Sequence, residues 1–362
     1  MNYTEERDVK YLNKLRNEVL PFLPPFCTDF FVGIGMRTTA LTRYNYATDL
    51  KLFFEYLTSH ENGNKTFKDK LPEEITLEDM KSVSKRDIER FLDYISSYYS
   101  DTCHSYLKNA DSSKSRKMSA VRALFTYLYK SDLLPENVAI KVDMPKIREK
   151  EIIRLEDDEA ANVLDQLSNN ATFSSDRQNS YNNNNTKIRD NAIITLLLGT
   201  GIRVSELVGL NIDDVDFANN TFTVTRKGEK RSILYFSEEI AIALNDYLDY
   251  REKLIEKHPD ADQEALFLSL QRKRIGVRAV EQLVKKYASA VTPLKKITPH
   301  KLRSTYGTAL YRATKDIYVV AEVLGHKDIN TTKRHYAAIS EDIKKSAVDK
   351  VKFSPINGEN DD

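Results

Sequence analysis

Gly199-Thr200-Gly201-Ile202-Arg203-Val204-Ser205-Glu206-Leu207 is the stretch on which the fold turns. The apolar run from Asp190 to Leu198 leads into it and reads as a buried helix. Two glycines then end that helix in a turn that exposes Arg203. Glu206 follows one helical turn further on, where its carboxylate can orient the guanidinium. On its own this is an ordinary surface Arg–Glu pair. Downstream, Asp213 to Phe217, Thr221 to Arg226 and Arg231 to Phe236 are enriched in β-branched and aromatic residues. The turn pairs Asn219-Asn220 and Gly228-Glu229 separate them, so the pattern predicts a small antiparallel sheet. Its last hairpin ends in Thr225-Arg226-Lys227-Gly228-Glu229-Lys230, whose lysines can reach away from the sheet or simply sit in solvent. After Ser237 the chain reads as helix again, and no repeat of solenoid period appears.

Upstream, the chain to about Pro145 reads as a helical domain. Leu41, Tyr44, Ala47, Leu50, Phe53, Phe54 and Leu57 recur at helical spacing, with Thr38 or Thr39 able to cap the start. Lys85 to Tyr99 supplies a second amphipathic segment through Ile88, Phe91, Leu92 and Ile95. A third helix follows Ser112-Ser113, with Met118, Val121, Leu124, Phe125 and Leu128 on one face, and closes before Leu134-Pro135. Residues 146–154 form the expected linker, within a charged stretch that carries a proline and lacks helical period. A new helix is expected to start at Arg154-Leu155-Glu156. The second domain runs over 155–353 and a tail over 354–362. Asn169 to Thr186 is polar and of low complexity, and reads as a lengthened loop.

Composition narrows the class. The two cysteines, Cys27 and Cys103, stand far apart, which argues for a reducing compartment and against a disulfide framework or a cysteine metal site. The N-terminus is charged and no apolar run approaches the roughly 20 residues that span a bilayer. A soluble cytoplasmic protein is expected, with no membrane partner. Net charge is only +1, but its distribution is uneven. From Gln271 to Arg303 there are ten Lys or Arg residues and a single acid, Glu281; from Ser112 to Lys130 there are five bases and no acid. Such one-sign stretches suit either a solvated face or a polyanion. Lys114, Arg116 and Lys117 crowd a helix start, where a phosphate would bond free backbone N–H groups and offset the cations. With Arg122, Arg272 and Arg274 they are the candidate DNA contacts.

Two further fragments complete the pattern: Pro299-His300-Lys301-Leu302-Arg303, and Leu324-Gly325-His326-Lys327-Asp328 followed by Thr331-Thr332-Lys333-Arg334-His335-Tyr336. Arg, then Lys on a hairpin, then His-x-x-Arg, Leu-Gly-His and Tyr, in this order, closely resembles the tyrosine recombinase and integrase family, in particular its Xer and phage-integrase branch. Ala120 to Ala139 also looks like the last helix of that family's N-terminal core-binding domain. The resemblance covers most of the chain. It implies a mainly α fold with one small antiparallel sheet, in two domains that clamp duplex DNA. It implies strand cleavage and rejoining through a 3′-phosphotyrosine, a Holliday junction, and a tetramer on two DNA sites, with an accessory or partner recombinase also conceivable.

The resemblance assigns Arg203 and Arg303 to the phosphate, Lys227 to protonation of the leaving 5′-oxygen, and His326 to a phosphate oxygen. It assigns His300 to proton transfer or to holding the site, and Tyr336 to nucleophilic attack, with Glu206 in support. Chemistry agrees with those residue types, since guanidinium grips phosphate oxygens bidentately and ammonium does not. Neither a metal nor another cofactor is called for. His300, His326 and His335 lack the cysteine or His-Glu-x-x-His spacing of a zinc site. In the family's common pattern the nucleophile follows the Leu-Gly-His histidine with one fewer residue between, and here that position is His335. Integration or excision of a mobile element, chromosome-dimer resolution, a type IB topoisomerase activity and a non-catalytic DNA-binding role all stay open at this point.

Overall fold

The computed structural model describes residues 3–100, 104–147, 153–168, 184–226, 230–326, 328–329 and 332–333. Lys227, His335, Tyr336, Cys103, most of the low-complexity stretch and residues 334–362 lie outside the described residues. The chain divides into two compact units, Met1–Lys150 and Glu151–Asp362.

The first unit is built from helices α1 (Tyr3–Lys14), α2 (Phe26–Gly33), α3 (Ala40–Thr58), α4 (Leu77–Met80), α5 (Lys85–Tyr94) and α6 (Asp111–Lys130). Thr39 caps α3, its hydroxyl accepting the Thr42 backbone N–H at 3.2 Å. Ser84 and Asp87 close a capping box at the start of α5. The apolar stripes meet in one core, in which Phe53 contacts Phe54, Phe91 and Phe125 edge-on or tilted. The α6 face of Met118, Val121, Leu124, Phe125 and Leu128 is fully buried there. Each such side chain contributes roughly 1.5–3 kcal/mol.

The segment expected to run helical to Tyr99 instead stops at Tyr94. Tyr98–Ser100 (β1) and Ser105–Leu107 (β2) pair as a short antiparallel hairpin, Tyr98 opposite Leu107. The protein therefore has two small sheets among its described residues, where one was expected.

The second unit holds α7 (Asp157–Ser168), α8 (Asn184–Thr200), α9 (Val204–Leu207), a three-stranded sheet of β3 (Val215–Asp216), β4 (Thr221–Arg226) and β5 (Lys230–Tyr235), then α10 (Glu238–Lys257), α11 (Val277–Val291), α12 (Pro299–Thr314) and α13 (Ile317–Leu324). α8 runs through the middle, with Ala192, Ile193, Ile194, Leu196 and Leu197 buried. The sheet is antiparallel in the order β3-β4-β5, and Arg226 faces Lys230 at the hairpin end. The expected strand at Asp213 is shorter than its composition suggested. Asp214 accepts the Asn211 backbone N–H at 2.8 Å and holds Ile212–Asp214 in a 3₁₀ turn. The helix after the linker begins at Asp157 rather than Arg154, because Glu159 caps the Glu156 N–H at 2.8 Å. No helix among the described residues is long and apolar enough to cross a membrane.

Candidate active site

The site is organised by the C-terminal end of α13. Asp316 opens this helix by accepting the Tyr318 and Val319 N–H groups at 2.7 and 3.4 Å. Gly325 closes it in the left-handed region, at φ +60°. His326 N–H then donates to Ala321 C=O and Gly325 N–H to Glu322 C=O, both at 2.9 Å. This Schellman closure still leaves the last carbonyls of the helix without intrahelical donors.

Three guanidiniums donate to the carbonyls at and just past this end, each from a different element. Arg226, at the end of β4, donates from Nη2 to Val323 O at 2.9 Å and from Nη1 to Glu322 O at 3.4 Å. Arg303, on α12, donates to Leu324 O. Arg203, at the turn before α9, donates to Gly325 O at 3.0 Å. The negative end of the helix dipole favours cations here. That matters, because two unit charges 4 Å apart repel by about 4 kcal/mol at an effective dielectric of 20.

Arg203 and Arg303 are also fixed from a second side. Glu206, itself buried, accepts from Arg203 Nη1 at 2.7 Å and from the Arg203 backbone N–H at 3.1 Å. Arg303 donates from Nη1 to Gly201 O at 2.5 Å. Gly201 sits at φ +61°, and an added Cβ would lie 2.5 Å from Cδ1 of Tyr306, so both its conformation and its closeness to α12 call for glycine. His326 Nδ1 lies 2.8 Å from Oγ1 of the fully buried Thr332, which orients the ring. Burial is the main cause that holds the Arg226 pKa below its usual value; Arg203 lowers it further and Glu206 opposes both.

Arg203, Arg303 and His326 are thus brought together on residues 324–326, although 123 positions separate Arg203 from His326 along the chain (326 − 203). His300 shares α12 with Arg303 but is exposed where Arg303 is buried, despite their i, i+3 spacing. Arg226 and Thr332 were not anticipated. Thr332 stood within a quoted motif without a role. Nothing in the spacing of Arg226 marks an arginine that bonds a helix end in a distant part of the sequence.

The candidate DNA contacts fare unevenly. Lys117 is buried, with its ammonium on Asp49 at 3.8 Å, Asn109 Oδ1 at 3.3 Å and Ser113 Oγ at 3.2 Å. Arg122 donates to Ala139 O and Val142 O, bracing the segment after α6. Arg274 donates to Val208 O, Leu210 O and Asn211 Oδ1. Lys117 thus holds a buried carboxylate, and Arg122 and Arg274 brace the protein's own backbone, so each of the three has a structural role besides the phosphate contact expected of it. Lys114 pairs with Asp111 at 2.9 Å, an acid just upstream of the counted window. Arg116 bonds Asp49 but keeps about half its side chain exposed, and Arg272 stands 3.7 Å from Asp260 at a positive φ.

A salt titration separates the two kinds of base. Each phosphate contact contributes roughly 0.9 to the log–log salt slope of binding to B-DNA. Arg116→Ala is expected to flatten the slope by about that much. Lys117→Ala should leave the slope alone and lower the unfolding midpoint, because it leaves a carboxylate only 2 % exposed with Arg116 as its one remaining cation among the described residues. A flattened slope with unchanged stability in Lys117→Ala would reverse this reading.

Comparison with known proteins adds to the geometry. The profile of the phage integrase family matches residues 175–342. The tyrosine recombinase XerC of Caldanaerobacter subterraneus is 34% identical over 297 residues, covering 80% of this chain and 75% of that protein. The tyrosine recombinase XerS of Streptococcus uberis is 30% identical over 364 residues, covering 92% of this chain and 97% of that one. Among solved structures, the XerH recombinase bound to palindromic difH substrate in a post-cleavage complex matches with a TM-score of 0.62 at 19% identity, over 86% of this chain and 80% of that one. A lambda integrase dimer bound to a core site matches at 0.57 and 16% identity, over 86% and 93%. These two share its fold.

Proposed function

The chain belongs to the phage-integrase family of tyrosine recombinases, which cleave and rejoin DNA, and from that premise we propose that Arg203, Lys227, His300, Arg303, His326 and Tyr336 form its catalytic set. The observation that carries this reading is the convergence of Arg203, Arg303 and His326 on the 324–326 turn.

A guanidinium has five N–H donors, so holding a backbone carbonyl and gripping a phosphate oxygen are compatible. Arg203 and Arg303 take the non-bridging oxygens of the scissile phosphate, and His326 donates to one of them. Because these donors are fixed before substrate arrives, they stabilise the added charge of the transition state without reorganising. Tyr336 Oη bonds to phosphorus and gives up its proton, with His300 assisting that transfer. The P–O5′ bond breaks as Lys227 Nζ protonates the departing oxygen. The energy of the phosphodiester is kept in the 3′-phosphotyrosine, so rejoining consumes no nucleotide cofactor.

The partner is double-stranded DNA carrying a specific site. Four protomers on two such sites exchange strands through a Holliday junction, in the cytoplasm, on the bacterial chromosome. The near full-length alignment with a Xer recombinase favours chromosome-dimer resolution over integration of a mobile element. The decisive experiment traps protein on nicked DNA inside cells and sequences what is attached. One recurrent chromosomal site is the expected result. Adducts at the ends of a mobile element would transfer the enzyme to integration, and adducts spread without sequence preference would point to a topoisomerase-like activity.

A further inference from the structure

Arg226 closes β4 and pairs with Lys230 across the hairpin, so its backbone is one foot of the connection 227–229. Its side chain leaves the sheet and crosses to the end of α13, reaching Val323 O and Glu322 O, 97 and 96 positions away in sequence. The contact is close. A Cβ added to Gly325 would stand 2.5 Å from the guanidinium carbon, so that glycine admits the arginine as well as the turn.

The arrangement has a cost. Arg226 Nε is buried and has no hydrogen-bond partner among the described residues. An unsatisfied buried donor costs about 1–3 kcal/mol. A long cation at a hairpin end ordinarily keeps its head in water. Here the head is drawn instead onto the same helix end that binds Arg203 and Arg303. Local rules broken in this way tend to mark functional sites.

We propose that Arg226 is a positioning residue that ties the foot of the Lys227 hairpin to the turn carrying His326, so that the leaving-group acid and the phosphate-binding guanidiniums keep one register. This rests on the assignment of the leaving-group proton to Lys227. Arginine suits the task better than lysine, because its fork spans two successive carbonyls while an ammonium is a point charge on a flexible stem. Arg226 acts through the hairpin and does not touch the reacting atoms.

A misplacement of about 1 Å at a catalytic group costs on the order of 10²-fold in rate. Arg226→Ala is therefore expected to bind a half-site normally and to cleave a suicide substrate about 100-fold more slowly. A substrate whose scissile 5′-oxygen is replaced by sulfur expels a leaving group that needs little protonation. It should return Arg226→Ala to within a few-fold of the unmodified protein, as it should Lys227→Ala. Arg226→Lys should fall between, with the same rescue, and it serves as the test variant if Arg226→Ala fails to bind DNA.

Rescue of Lys227→Ala without rescue of the Arg226 variants would overturn the proposal, since the arginine would then act on the phosphate or the fold. Rescue of neither would remove the hairpin acid altogether, and the proposal with it. Rescue of the Arg226 variants alone would support a positioned hairpin while moving the acid from Lys227 to Lys230.

Discussion

Tyr336→Phe is expected to abolish the covalent protein–DNA adduct on a nicked suicide substrate while leaving half-site affinity unchanged. The substitution removes one oxygen and keeps the ring, so packing and surface charge are conserved. What disappears is the proposed nucleophile, and deleting a catalytic nucleophile costs on the order of 10⁶-fold in rate. The unperturbed phenol titrates at about 10 and is almost wholly protonated at physiological pH. Its nucleophilicity appears only as the proton departs.

His335 is the rival, because it occupies the position that the family's commonest spacing gives to the nucleophile. An imidazole attacking phosphorus leaves a phosphoramidate, which acid and hydroxylamine cleave, whereas a phosphotyrosine resists both. The expected adduct resists acid, and His335→Ala retains at least part of it. An adduct that persists in Tyr336→Phe, or an acid-labile one that vanishes in His335→Ala, would overturn the assignment.

The helical cores were legible because burial writes itself into spacing. Met118, Val121, Leu124, Phe125 and Leu128 recur at helical intervals for the same reason that all are buried. The β1–β2 hairpin was not legible. Its three-residue strands, Tyr98–Ser100 and Ser105–Leu107, are too short to show an alternation, and the helical period of α5 runs straight into them. In the site, Arg203, Arg303 and His326 were readable from the order of the Arg, His-x-x-Arg and Leu-Gly-His fragments along the chain, and they converge on residues 324–326.

Charge runs say little about a cation's surroundings, for a physical reason. A count of lysines and arginines cannot distinguish a cation facing solvent from one facing a buried carboxylate. For Lys117 the carboxylate is Asp49, 68 residues upstream (117 − 49). Arg226 was missed for a related reason. Its acceptors are backbone carbonyls, which every residue possesses, and no side-chain pattern announces them.

Arg303→Lys is expected to lower the cleavage rate by roughly 10²- to 10³-fold, the usual consequence of losing one preorganised donor to developing negative charge, and to lower stability as well. The two effects have different origins. Arg303 is 5 % exposed and its guanidinium spans Gly201 O and Leu324 O, joining the turn before α9 to the end of α13. One ammonium does not span both. The stranded carbonyl costs about 1–3 kcal/mol, visible as a lower denaturant midpoint. The charge survives the substitution but the bidentate grip on phosphate proposed for Arg303 does not.

Arg203→Lys supplies the control. Its side chain is 36% exposed and is held chiefly by Glu206, so a similar rate loss should come with little change in midpoint. Half-site affinity, which is spread over many phosphate contacts, should change by less than tenfold in both variants. Comparable cleavage losses with unequal stability losses would separate the arginines' work on phosphate from Arg303's work on the fold. Near-normal cleavage by Arg303→Lys, with the midpoint lowered, would leave Arg303 as a structural brace and end its assignment to the phosphate.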